Sequence, residues 1–163
     1  MPRAERKQDL QAEAEIVQFV ISRFPDQFDG YMKIDRFGYR LDGVLTKKHR
    51  FGYALPVMFY EAKNRDYEFG HYPDFIISAS KLGEAQRLLV QTGLRSVLLV
   101  RFNCGTIASV DFAKHRGKYR EGGRTDRVGF VNDIETVAIF QWTDFRILKL
   151  RPAMGLANSP ESA

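Results

Sequence analysis

The stretch Tyr39–Arg65, YRLDGVLTKKHRFGYALPVMFYEAKNR, constrains the fold more than any other part of the chain. It holds two short apolar segments, the first carrying Asp42 and the second ending in Glu61-Ala62-Lys63. Successive side chains of an extended strand point to opposite faces, so Glu61 and Lys63 share one face and Ala62 takes the other. Asp42 precedes Glu61 by enough residues for a strand, a loop and a return strand. Pairing of those two strands gathers two carboxylates and an amine at one end of a sheet.

The surrounding pattern supplies the rest of a fold. Residues 5–24 predict a helix, with Leu10, Val17, Val20, Ile21 and Phe24 at helical spacing and Pro25 as the stop. At about 100° per residue Glu13 falls within the stripe of Leu10, Val17, Val20 and Phe24, while Glu15 falls opposite. A carboxylate on a buried stripe is costly unless paired or coordinating. Glu13 therefore either reaches water at a frayed helix start or has a functional role. Residues 26–38 form a loop or short strand, 40–46 a strand, and 47–53 a basic, exposed hairpin connection around Gly52. Residues 57–63 are a strand apolar enough for burial on both faces.

The segment NRDYEFGHYPD, residues 64–74, reads as a loop. It is a candidate substrate-contacting segment, or equally a surface loop with aromatic anchors. Residues 75–92 predict a second helix, with Ser78 or Ser80 as N-cap, Gly93 as terminator, and Lys81, Leu82, Ala85, Leu88 and Leu89 on one face. Residues 96–102 and 106–112 pair across a turn at 103–105. The basic, glycine-rich 114–127 segment predicts a mobile loop, suited to phosphate contact and equally to solvation. Residues 128–140 and 143–150 read as further strands. The strand–helix–strand unit over 57–102 needs a crossover, so the fold class is α/β, a mixed central sheet flanked by helices. One domain over 1–151 and a flexible tail over 152–163 follow.

Composition narrows the function classes. Apolar residues are 44% and charged residues 28% of 163, ordinary for a globular domain. No apolar run approaches the roughly 20 residues needed to cross a bilayer. The opening MPRAERKQDLQAEAE lacks the apolar core of a signal peptide. The expectation is a cytoplasmic protein with no membrane partner. Cys104 is the only cysteine, which excludes an internal disulfide and a cysteine zinc site, and its place at the end of an apolar strand predicts a small buried hydrophobe. The formal charge of +5 favours a polyanionic partner, most commonly nucleic acid. His49, His71 and His115 have no metal-ligand spacing, and no Walker-type phosphate loop is present.

Two adjacent carboxylates resist being charged together unless a cation lies between them. A hard divalent ion, Mg²⁺ or Mn²⁺, takes oxygen ligands and is commonly held by one or two carboxylates plus substrate phosphates. It can polarise a phosphodiester and activate water near neutral pH, while a nearby lysine neutralises developing charge. The tripeptide E-x-K alone occurs by chance, and as an exposed ion pair contributes only ~0–1 kcal/mol. Its weight comes from the apolar strand before it and the acid-bearing strand upstream.

RLDGVL and FYEAK together resemble the two halves of the PD-(D/E)xK nuclease signature, and FYEAKNRDYEFGHYPDFIISASK is similar to nuclease-like proteins of phages and prophages. The likeness spans about residues 10–112 and follows element order as well as motif. It implies a restriction-endonuclease-like core and metal-dependent cleavage of nucleic acid, with DNA favoured. Asp42, Glu61 and the Ala62 carbonyl would hold Mg²⁺ or Mn²⁺, with Glu13 as an added carboxylate from the first helix. Lys63 would be the catalytic amine, and Lys81 an additional polar residue of the active site. Leu41 stands where the motif has proline. Phosphates would be held by Lys47, Lys48, Arg50 and Arg65, and by Lys114, Arg116, Lys118 and Arg120 of the basic segment. The resemblance further implies a bacterial or phage-infected cell and a homo-oligomer, since many such enzymes cut duplexes as dimers. The rival expectation is a non-catalytic nucleic-acid-binding or assembly module with the same fold.

Overall fold

The computed structural model describes residues 7–34, 41–122 and 134–150. Helix α1 (Lys7–Arg23) is followed by β1 (Gly30–Lys33), β2 (Gly43–Lys48) and β3 (Ala54–Arg65). Then come β4 (Phe75–Ser78), α2 (Ala79–Thr92), β5 (Ser96–Phe102) and β6 (Ile107–Asp111), and finally β7 (Tyr119–Gly122), β8 (Glu135–Phe140) and β9 (Arg146–Lys149). Six strands form one mixed sheet in the order β1-β2-β3-β5-β6-β9, and β4-β8-β7 form a separate antiparallel sheet. The parallel pair β3–β5, which sets Glu61 against Leu98 and Lys63 against Val100, is joined by the crossover through β4 and α2. The expected mixed α/β architecture is the one observed.

Alternation along β3 divides the core. Phe59 packs with Val44, Leu98, Val100 and Phe102 toward α2, whose Leu82, Ala85 and Leu88 cover that face together with Phe75 and Phe140 of the small sheet. Tyr60 packs with Leu45 and Leu99 toward α1, whose Ile16, Val17 and Val20 cover the other face. Glu61 and Lys63 follow the parity of Phe59 and so belong to the α2 face. The β2–β3 hairpin pairs Gly43 with Tyr60 and Val44 with Phe59, and its turn is closed by His49 and Tyr53, with Gly52 at φ 94°.

Several elements differ from expectation. Residues 75–78 are a strand: Phe75 and Ile77 are buried while Ile76 and Ser78 are half-buried, a period of two that merges with the helical pattern following it. The partner of this strand is β8, which pairs Phe75 with Phe140 from far along the chain. Ser78 occupies the N-cap position of α2, but its hydroxyl bonds Ser80 and Glu135 instead of the helix backbone. Gly93 ends α2 as expected, left-handed at φ 74° and donating to the Leu89 carbonyl. Leu89 is 39% exposed, and the buried face instead carries Glu84, ion-paired to Arg87 one turn on.

Of the 114–127 segment, residues 119–122 form β7, paired to β8 and not mobile loop, because Tyr119 and its neighbours find ladder partners in a distant strand. Residues 123–127 and the 152–163 tail lie outside the described residues. Cys104 sits half-buried in the β5–β6 turn with its sulfur on the Thr106 hydroxyl, not fully buried in a strand. That contact, against a smaller burial effect, holds its thiol below the usual value. Among the described residues no helix is long and apolar enough to cross a membrane.

Gly43 is the close approach that lets β2 and β3 meet at this register. A Cβ there would stand 2.5 Å from the Tyr60 hydroxyl and 2.6 Å from the Met32 carbonyl oxygen. Gly83, on the exposed side of α2, has nothing within 4 Å of such a Cβ. Gly43→Ala is expected to destabilise by about 1–3 kcal/mol in urea unfolding, whereas Gly83→Ala gains about 0.5–1 kcal/mol from improved helix propensity.

Candidate active site

Glu61 is fully buried, at 0% exposure, on the last half of β3. A carboxylate so placed needs charge compensation. Two lysines supply it. Lys63, two residues on and on the same face, brings Nζ within 2.5 Å of Oε1, and Lys81, in the first turn of α2, donates to Oε2 at 2.7 Å. The Lys63 contact lacks the alignment of a hydrogen bond, leaving Oε1 a buried oxygen without a directed donor. Burial pushes the Glu61 carboxyl above the ordinary value. Lys63 draws it back, Asp42 pushes it further up, and Lys81 draws it back again. For Lys63, burial is the largest single influence and lowers the ammonium pKa, but the charge and close contact of Glu61 and the charge of Asp42 together exceed it, and the net direction is upward.

Asp42 is brought to the same place by the backbone. Its N–H donates to the Tyr60 carbonyl at 3.1 Å and its carbonyl accepts from Ile34 at 3.0 Å, which pins it between β1 and β3. Its carboxylate Oδ2 accepts the Ala62 N–H at 2.8 Å. The Gly43–Tyr60 register, continued by one residue, sets Asp42 across from Glu61 on the α2 face. A strand residue directs its N–H and C=O toward the same neighbour, so the Ala62 carbonyl leaves β3 on the Asp42 side.

The structure thus brings together Asp42, Glu61, Ala62, Lys63 and Lys81. The donor set is oxygen only, two carboxylates and a carbonyl, with one carboxylate oxygen lacking a directed donor, and that chemistry fits a hard divalent cation.

Glu13 is placed elsewhere. It is buried on the α1 face, with Oε2 on Lys33 at 2.9 Å and Oε1 accepting the Tyr60 hydroxyl at 3.2 Å. Neither a frayed helix end nor solvent is involved: the carboxylate is compensated by Lys33. Tyr60 and Glu61 are neighbours with opposite parity, so the sheet itself separates Glu13 from the lysine-paired carboxylate. Among the described residues no three His, Cys, Asp or Glu side chains form a group able to hold an ion. Burial, then the Glu13 charge, drives the Tyr60 phenol far above the normal tyrosine range, keeping it a neutral donor.

Beside the cluster opens a cleft of about 650 Å³ between the end of β3, the 66–74 loop, α2 and the small sheet. Of the eight basic residues expected to contact phosphate, Arg65 and Arg120 line it, together with Lys63 and Lys81. Arg120 reaches it from β7 and forms a two-pronged pair with Asp74, at 2.9 and 3.2 Å. Lys47 is turned onto the Pro25 carbonyl and Asp29, Lys48 is exposed with its backbone N–H on Asp29, and Arg50 lies over the Phe51 ring. All three sit at the hairpin end of β3, about 20 Å along the strand from Glu61. Lys114 is exposed after β6, Arg116 pairs with Asp144, and Lys118 offers its carbonyl to Ile139. None of these lines the cleft. Tyr67 and Tyr72 do, and the aromatic content of 64–74 was the signal for them. Ser78 and Glu135 also line it, and no local pattern marks either, since β4 and β8 meet only in the fold.

A mixed sheet with an acid on one strand, E-x-K on the next and a following helix adding a lysine is the PD-(D/E)xK nuclease architecture. Over residues 1–148 the chain matches the family described as "Phage putative PDDEXK endonuclease", and it belongs to that family. Its class is accordingly that of nucleases, hydrolases of phosphodiester bonds. Among solved structures the Holliday junction resolvase Hjc of Archaeoglobus fulgidus is similar at 7% identity over 77% of this chain and 87% of its own, with a TM-score of 0.41. No curated protein matches the chain.

The raised Glu61 carboxyl has a stability consequence of definite sign. With the folded pKa above the unfolded value of 4.5, the folded state holds a proton that the unfolded chain releases, so this group costs stability as pH rises. Glu61→Gln removes that cost. Thermal melts without divalent ions are expected to show Glu61→Gln melting above the wild type near pH 7, with the gap closing toward about pH 4.

Proposed function

We propose that the protein is a divalent-metal-dependent endonuclease of DNA, working at the Asp42–Glu61–Lys63 cluster. The observation that carries this reading is the Asp42–Ala62 hydrogen bond, which ties the lone upstream acid to the middle residue of E-x-K. Asp42, Glu61 and the Ala62 carbonyl would hold Mg²⁺ or Mn²⁺. Bound, such an ion polarises a phosphoryl oxygen and makes water a competent nucleophile near neutral pH.

The chain's own residues do the remainder. Lys63, partly exposed at the cleft and held on Glu61, orients the attacking water and neutralises charge building on the phosphate. Lys81 completes the compensation of Glu61 and holds one oxygen of its carboxylate against the first turn of α2. Arg65 and Arg120, both lining the cleft, steady the flanking phosphates. Glu13 serves the site indirectly: with Lys33 and Tyr60 it fixes the register that carries Asp42. The expected workplace is the cytoplasm of a bacterium or its phage-infected equivalent.

Plasmid and branched DNA incubated with Mg²⁺ are expected to be cut, and EDTA to stop cutting. Lys63→Ala and Asp42→Asn are each expected to lose about 10²-fold or more in cleavage rate while still binding DNA. Cutting by either variant at the wild-type rate would show that the chemistry is elsewhere. Salt-dependent binding with no cleavage by any form would favour a binding module. Mg²⁺ is also expected to raise the wild-type melting temperature by mass action, and Asp42→Asn to remove most of that rise.

A further inference from the structure

We infer that the cleft beside the cluster takes an unpaired nucleotide, stacked against Tyr72 and Tyr67, so that the enzyme prefers DNA with a single-stranded segment adjoining the scissile bond. This deepens the nuclease reading and rests on it.

The size of the cleft is the first ground. About 650 Å³ is the space of a small-molecule site, suited to one nucleotide and its phosphate but not to a paired duplex. Its chemistry is the second. Its lining is partly aromatic and apolar, with Tyr67, Tyr72, Pro73 and Ile76, and partly cationic, with Arg65 and with Arg120, the latter paired to Asp74. A base needs the former and its phosphates the latter. Arg65 lies over the Phe75 ring, and its Nε–H is buried with no acceptor among the described residues, a donor that a phosphate oxygen would satisfy after a small turn of the side chain.

The third ground is that the aromatic wall is built to stay put. The 66–74 loop has no regular structure, yet the Trp142 indole donates to the Tyr72 carbonyl at 2.6 Å and the Asn103 amide to the Asp66 carbonyl at 2.7 Å. Phe69 from the same loop is wedged among Phe102, Trp142 and Phe145. The Tyr67 ring meets Tyr72 edge-on at 4.8 Å. Despite this anchoring Tyr72 remains 51% exposed. A tyrosine held in place by its backbone and left half in water is a stacking platform awaiting a flat partner.

The test uses full-length Lys63→Ala protein, which binds without cutting, and two synthetic duplexes, one blunt and one carrying a short unpaired arm with 2-aminopurine at the junction. The armed duplex is expected to bind about tenfold tighter than the blunt one, with its 2-aminopurine fluorescence quenched on binding. Added Tyr72→Leu is expected to bring the two affinities together and abolish the quenching, while Tyr72→Phe keeps both. Equal affinities in the Lys63→Ala parent, or an arm preference that survives Tyr72→Leu, would overturn the inference. Cleavage of blunt and armed duplexes alike by the wild type, with equal binding, would sink this inference and leave the nuclease reading standing. Failure to bind either duplex would remove both.

Discussion

A carboxylate without solvent contact is tolerable only if cations meet it, and Glu61 is met by two. One comes from its own strand and one from the helix that crosses over to the next parallel strand. The pairing therefore joins β3 to α2, and through the crossover to β5, by charge as well as by packing. Losing one partner of such a group leaves a buried charge uncompensated, which in other proteins costs about 3–5 kcal/mol. With Asp42 close by, the cluster holds two negative and two positive groups. The lysines do for the carboxylates what a divalent cation would do.

The two faces of β3 carry different kinds of buried acid. On the α1 side, Glu13 accepts from both Lys33 and Tyr60, the phenol donating and the ammonium compensating. On the α2 side, the Glu61 group opens onto a cleft. The same strand supplies Tyr60 to one set and Glu61 to the other. The absence of a side chain at Gly43 lets the Tyr60 hydroxyl lie across β2.

How much of this was legible in the sequence depended on whether a feature is local. Parity within β3 placed Glu61 with Lys63, and the acid on the preceding segment placed Asp42, because hairpin geometry converts short spacings into contacts. Gly93 was readable as a helix end for the same reason. The sequence pattern merges the β4 strand with the helix, since four apolar-rich residues next to an amphipathic stretch satisfy both periods and only β8 decides between them. Helical angles put Glu13 correctly on a buried stripe but could not say which face of the sheet that stripe would cover. Charge runs were the poorest guide. Lys47, Arg116 and Arg120 are all paired, to Asp29, Asp144 and Asp74, and only Arg120 of the three lines the cleft, because β7 joins the small sheet.

The small sheet has a consequence in time. Every side chain of the acid–amine cluster has been synthesised once α2 is made, but the lining residues Arg120, Glu135 and Val137 belong to β7 and β8, synthesised later. A growing chain therefore carries the cluster's residues before it carries those of the enclosure. The last third of the polypeptide decides what the cluster is allowed to touch.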